Sequence, residues 1–180
     1  MTAPVRGFLG ILVFLCSMAA ALYYMQDVKH HTFDLVPETK LSFVAFASIM
    51  IATLNVGAVS FLALAFTGMS GAIFKELLIL LCFALASTAF SMLLMRIFGN
   101  INLLGSVIPI FVIVMIAVCP VFFEFKEVRY IALLFAPTYY VKALYDGWYL
   151  LYMLLYAAVC FGLYFVIGKI KNAIKLKCFS

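Results

Sequence analysis

Five stretches of this chain, 8–25, 41–66, 77–95, 101–120 and 148–168, contain no Asp, Glu, Lys or Arg and are apolar almost throughout. As helices they extend roughly 27–39 Å, against about 30 Å for the hydrocarbon core of a bilayer. Inside lipid there is no water to bond free backbone groups, so a single crossing segment must be helical. The fold class that follows is all-α, a polytopic transmembrane helix bundle of five spans forming one domain. Composition agrees: 68% of residues are hydrophobic and 11% charged, where soluble domains hold roughly 45–50% and about 25%.

The section between Asn100 and Trp148 is not a plain span. Cys119-Pro120-Val121-Phe122-Phe123 leads out of the fourth apolar stretch into a charged patch of Glu124, Lys126, Glu127 and Arg129. The apolar run from Tyr130 to Ala136 is too short to cross again before Pro137-Thr138-Tyr139-Tyr140 interrupts it. A piece of that length enters the membrane and returns on the same side, so a re-entrant helical hairpin is expected over 122–147, before the last span. Pro109 removes a hydrogen bond inside the fourth span and predicts a kink there. Tyr139, Tyr140, Tyr145, Trp148, Tyr149 and Tyr152 read as an aromatic belt at one membrane face.

Small residues four apart, Ser48/Ala52 and Thr53/Gly57 in the second span and Ala84/Thr88 and Ser87/Ser91 in the third, predict close approach of those two helices. Asn55 is expected to bond across to Ser87 or Thr88, or else to contact cargo. The net charge is +5, and four of the twelve basic residues are Lys169, Lys171, Lys175 and Lys177, just past the last span. That placement reads as a cytoplasmic stop signal facing anionic lipid, not as a nucleic-acid surface. A cytoplasmic C-terminus puts seven basic residues inside and five outside. The most polar stretch, 27–40, then lies in the cytoplasm.

Chemistry finds little purchase. The five cysteines form no CxxC pair and read as packing residues. His30 and His31 are adjacent and cannot turn to one ion from a helix or strand, so no metal is expected. There is no phosphate loop, HExxH or GxSxG motif, and no cofactor is implied. With no charge inside any span as bounded above, ion-coupled transport is disfavoured.

The Asp27-Val28-Lys29-His30-His31-Thr32-Phe33-Asp34-Leu35-Val36-Pro37 stretch, together with the two proline-marked stretches at Pro120 and Pro137, resembles the ABC-2 type permease family. The chain looks like the C-terminal five-span part, without the family's first span. The resemblance implies a permease subunit of an ATP-driven exporter in the plasma membrane. Its partners would be a cytoplasmic ABC ATPase, which binds ATP and Mg, and a second permease subunit. Thr32, Phe33, Asp34, Leu35, Pro37 and Glu38 would form the ATPase-coupling loop; the alternative is a solvated connector. Pro120, Glu124, Glu127, Arg129, Pro137, Tyr139 and Tyr140 would form the outer gate; the alternative is that the charges only hold the turn among head groups. Two other readings of the chain stand beside this one. One is a non-transporting membrane protein, an assembly or immunity factor; the other is a membrane enzyme built from His30, His31, Asp34 and Glu38.

Overall fold

The computed structural model describes residues 3–34, 36–68, 72–119 and 129–177. Leu35, Pro120, Glu124, Lys126 and Glu127 lie outside the described residues, and Glu38 and Arg129 are described by backbone alone. Seven helices follow one another among the described residues: α1 (Ala3–Lys29), α2 (Glu38–Phe66), α3 (Ile73–Phe98), α4 (Ile101–Val118), α5 (Arg129–Ala132), α6 (Ala136–Tyr145) and α7 (Trp148–Lys177). Five of them, α1, α2, α3, α4 and α7, are long and apolar enough to cross a membrane. The chain is a multi-pass, membrane-embedded protein.

α3 is the axis of the bundle. Its most apolar stretch is 67% buried, against 11% for that of α4, and it packs on α1, α2, α4, α6 and α7. The five long helices alternate in direction. One end of the bundle therefore holds the starts of α1, α3 and α7 with the end of α4, and is called the hairpin end. The other holds the α1–α2 and α3–α4 connections and the end of α7, and is called the turn end.

Small residues mediate close packing: α2 lies on α3 as expected, with Gly57 against Leu80, but two of the small residues of α3 serve a different partner. Ser87 and Ser91 face α1, where Ser17 Oγ lies 2.9 Å from Ser91 Oγ and donates to the Phe14 carbonyl at 2.7 Å. Thr88 turns to α2 instead, its hydroxyl 3.6 Å from Met50 Sδ. Asn55 makes neither expected bond and is exposed on the outer surface of α2. The register explains this: Thr53 and Gly57 occupy the buried side of α2, and Asn55, two positions from each, points roughly the opposite way. α4 runs unbroken through Pro109; it ends at Val118, two residues short of the span expected from sequence.

Candidate functional site

At the hairpin end α5 and α6 form the described part of the expected re-entrant hairpin, with a corner at 133–135. Pro137 lies in the first turn of α6, where a missing N–H costs nothing and the fixed φ suits a helix. It begins an element as well as ending the preceding run. Three consecutive carbonyls at the corner each accept from a side-chain hydroxyl, and that of Ala132 also accepts from the Phe135 N–H at 3.1 Å. Thr138 Oγ1 donates to Ala132 O at 2.6 Å, Tyr139 Oη to Leu133 O at 2.8 Å, and Tyr156 Oη to Leu134 O at 2.8 Å. Because the Thr138 proton is committed to Ala132, the Cys119 thiol 3.4 Å away is the donor in the Cys119–Thr138 contact. Irregular backbone buried in a membrane protein needs this kind of satisfaction. Tyr156 sits two turns into α7, on the order of 12 Å beyond Trp148 along the helix, so the corner reaches about that far along the bundle before the chain comes back to the end.

The rings behind the corner tie it to the core. Phe135 lies 6.0 Å from Phe111 of α4, Phe111 lies 6.0 Å from Phe90 of α3, and Phe90 lies 5.4 Å from Phe14 of α1. Tyr140, expected in an aromatic belt, is buried instead. Its ring stands 4.7 Å from that of Phe83 and presses on the backbone of Gly10, where a Cβ would come within 2.6 Å of Tyr140 Cδ1. The exposed belt residues are Tyr145, Trp148 and Tyr152.

Two charges thought to flank the spans are drawn into the bundle. α1 starts at Ala3 and α3 at Ile73, so Arg6 and Glu76 fall within the helices, contrary to the expectation of spans free of charge. Their side chains are 18% and 10% exposed and pair at 3.2 Å. A pair this sheltered is attractive only because each charge offsets the other's desolvation. Burial, with Glu76 adding and Arg6 opposing, pushes the Tyr140 phenol up to about 12, so it stays neutral beside the pair.

At the turn end α1 runs to Lys29 and α2 starts at Glu38, so the polar connection is shorter than 27–40. It opens with a Schellman cap, in which His31 N–H donates to Val28 O at 3.2 Å and Thr32 N–H to Asp27 O at 3.0 Å. His31 takes the left-handed conformation (φ 61°) where glycine is usual. Thr32, Asp34 and Pro37 are exposed, while Phe33 folds back on Tyr24 with ring centroids 5.4 Å apart. His31 and Asp34 pair at 3.1 Å in full contact with solvent, and no group of three His, Cys, Asp or Glu able to hold a metal occurs among the described residues.

Beside that connection a cleft of about 740 Å³ opens between α1, the α3–α4 turn and α7. Sequence reading missed it because its members come from four helices. Gly99, at φ 58°, caps α3, its N–H donating to Met95 O at 3.0 Å. Lys171 of α7 donates to the carbonyls of Arg96 and Ile97 at 2.5 and 3.1 Å, so a cation closes the negative end of α3. Arg96 lies with its Cζ 5.5 Å from the Tyr164 ring centroid. No family model, curated protein or solved structure matches this chain.

Proposed function

We propose that the chain is the membrane-spanning permease unit of an ATP-driven exporter of the ABC-2 type, working with a cytoplasmic ABC ATPase and a second permease subunit. The observation that carries the reading is the hairpin at α5–α6, which enters the bundle and leaves by the same end. A hairpin held by side-chain hydroxyls inside an otherwise regular bundle suits a gate, since it can shift without unwinding a span. The resemblance of the Asp27–Pro37 and Pro120/Pro137 stretches to the permease family supports the same assignment. In this reading the turn end and the C-terminus face the cytoplasm, and the membrane is the plasma membrane.

The work is mechanical. Closure of the ATPase pushes on exposed Thr32, Asp34 and Pro37, and the push passes to α1 and α2, which the turn joins. α1 carries Gly10 against Tyr140 of the hairpin, so displacement of α1 alters the hairpin's seat. Such coupling requires two arrangements of the bundle that the nucleotide state favours differently. Asn55, exposed at mid-span with Ile51 and Val59 on the same face of α2, supports a second subunit. An amide in hydrocarbon is costly without a hydrogen-bonding partner, and another helix supplies one.

Purification of the chain from its native membrane in mild detergent, followed by mass spectrometry, tests the assignment. A stoichiometric P-loop ATPase in the preparation is the expected result. A full-yield preparation without one overturns the exporter reading in favour of a non-transporting membrane protein.

A further inference from the structure

The cleft at the turn end carries three cationic side chains, Lys29, Arg96 and Lys171, and no carboxylate among its lining residues. Asp27, two positions from Lys29 on α1, lines a separate hollow with Ser48 and Ala52. Lys171 is engaged with the last carbonyls of α3. Arg96 is not engaged in the same way: its Nε is buried and has no hydrogen-bond partner among the described residues. Its guanidinium lies close to the Tyr164 ring and to Gly168, where a Cβ would come within 2.7 Å of Nη2. An arginine fixed in that way, with charge unspent and no acid beside it, is built to receive an anion.

Two further features define which anion. The N-terminus of α4 opens on the cleft, with Asn100 accepting from the Asn102 N–H at 3.0 Å, and adds the positive end of a helix dipole to the three cations. Met25, Val28, Met95 and Ile101 add an apolar share to the lining. A second hollow of about 500 Å³ shares Lys29, Ile101 and Asn102 with the cleft and runs over Leu22 and Gly105 in the α1–α4 seam. A volume this large exceeds the needs of a bare phosphate, and its mixed lining suits an amphiphile whose charged group meets Arg96 while its glycerol backbone lies on the methionines. α4 is the least buried of the spans, so the seam faces lipid.

We propose that this cleft is a binding site for the phosphate head group of an anionic phospholipid, entering from the bilayer beside α4. Arg96 and Lys29 make the charge contacts, and the α4 N-terminus contributes its free N–H groups. The site does not depend on the transport reading.

The test uses the full chain in detergent micelles, titrated with phosphatidylglycerol or phosphatidylcholine, with native mass spectrometry counting bound lipid. The expected result is a one-to-one phosphatidylglycerol adduct that phosphatidylcholine does not give. Arg96→Gln and Lys29→Glu should each weaken it about ten-fold, as loss of a charge-assisted contact does. Lys29 is exposed, so its variant keeps the fold even where Arg96→Gln loses the packing on Tyr164. Equal retention of the two lipids, or unchanged binding by the Lys29 variant and a folded Arg96 variant, overturns the proposal. Full displacement of the lipid by equimolar glycerol 3-phosphate overturns it too, assigning the cleft to a soluble phosphate ester.

Discussion

Replacing Gly10 with alanine asks whether the hairpin is seated on α1 as tightly as the geometry states. The added methyl would stand 2.6 Å from Tyr140 Cδ1 and 3.0 Å from Cε1. Carbon atoms rest at about 3.5–4.0 Å, so ring or helix must give way by roughly 1 Å. The ring has little room to do so, because it is 7% exposed and backed by Phe83 at 4.7 Å. Overpacking of this kind costs about 1–3 kcal/mol, and the better helix propensity of alanine returns up to ~1 kcal/mol. The net loss is up to about 2 kcal/mol, which for a chain of this size lowers the unfolding midpoint by up to roughly 8 °C. Gly162 of α7 is the control, since a Cβ there meets nothing within 4 Å; its alanine variant should be neutral or slightly stabilised. Thermal unfolding in detergent, followed by circular dichroism, gives the two midpoints. Removing the ring should abolish the difference, so Gly10→Ala made in a Tyr140→Leu background should cost no more than Gly162→Ala. If Gly10→Ala melts as high as Gly162→Ala, the close seat of Tyr140 on α1 is refuted.

Three other outcomes follow from the same geometry. Tyr156→Phe removes the donor to Leu134 O and should destabilise by about 0.5–1.5 kcal/mol, the net worth of one hydrogen bond, whereas Tyr152→Phe on the exposed side of α7 should leave the unfolding midpoint unchanged. Glu76→Ala breaks the sheltered pair with Arg6 and should cost about 3–5 kcal/mol; the double variant Arg6→Leu/Glu76→Leu should recover most of it, and a midpoint no better than that of the single variant would show the pair to be more than self-compensating. Under the proposed function, Asn55→Leu should reduce chemical crosslinking between permease subunits in native membranes without lowering the amount inserted, and undiminished crosslinking would remove α2 from the subunit contact.

The five spans were legible because hydropathy is a local property: each stretch declares itself without reference to the others. The limits of that reading appear wherever a residue's role depends on a partner far along the chain. Arg6 and Glu76 ended the apolar runs as read from sequence, yet each lies within a helix because the other, 70 positions away, makes its burial tolerable. Ser87 and Ser91 carried the right spacing for close packing, but spacing alone does not say which helix will be approached, and Ser17 of α1 is the answer. Tyr139 and Tyr140 are adjacent aromatic residues of the kind that mark an interface, and only the corner at 133–135 turns one hydroxyl to a carbonyl and the other ring to Gly10. Tyr156 left a weaker signal. It lies deeper in its span than the other tyrosines at that end, and a phenol so placed asks for an acceptor. The cationic cleft left none, since Lys29, Arg96 and Lys171 belong to three different spans.

The contacts between α1 and α3 have a consequence for the order in which the protein is made. Ser91 for Ser17, Phe90 for Phe14 and Glu76 for Arg6 all reside on the third long helix, not on the second. When the first two spans have left the ribosome, α1 has α2 for company but lacks every one of these counterparts. The seat of α1 seen here is complete only once α3 is in place beside it. In sequence order, then, the first helix finds these partners in the third span and not in its immediate neighbour.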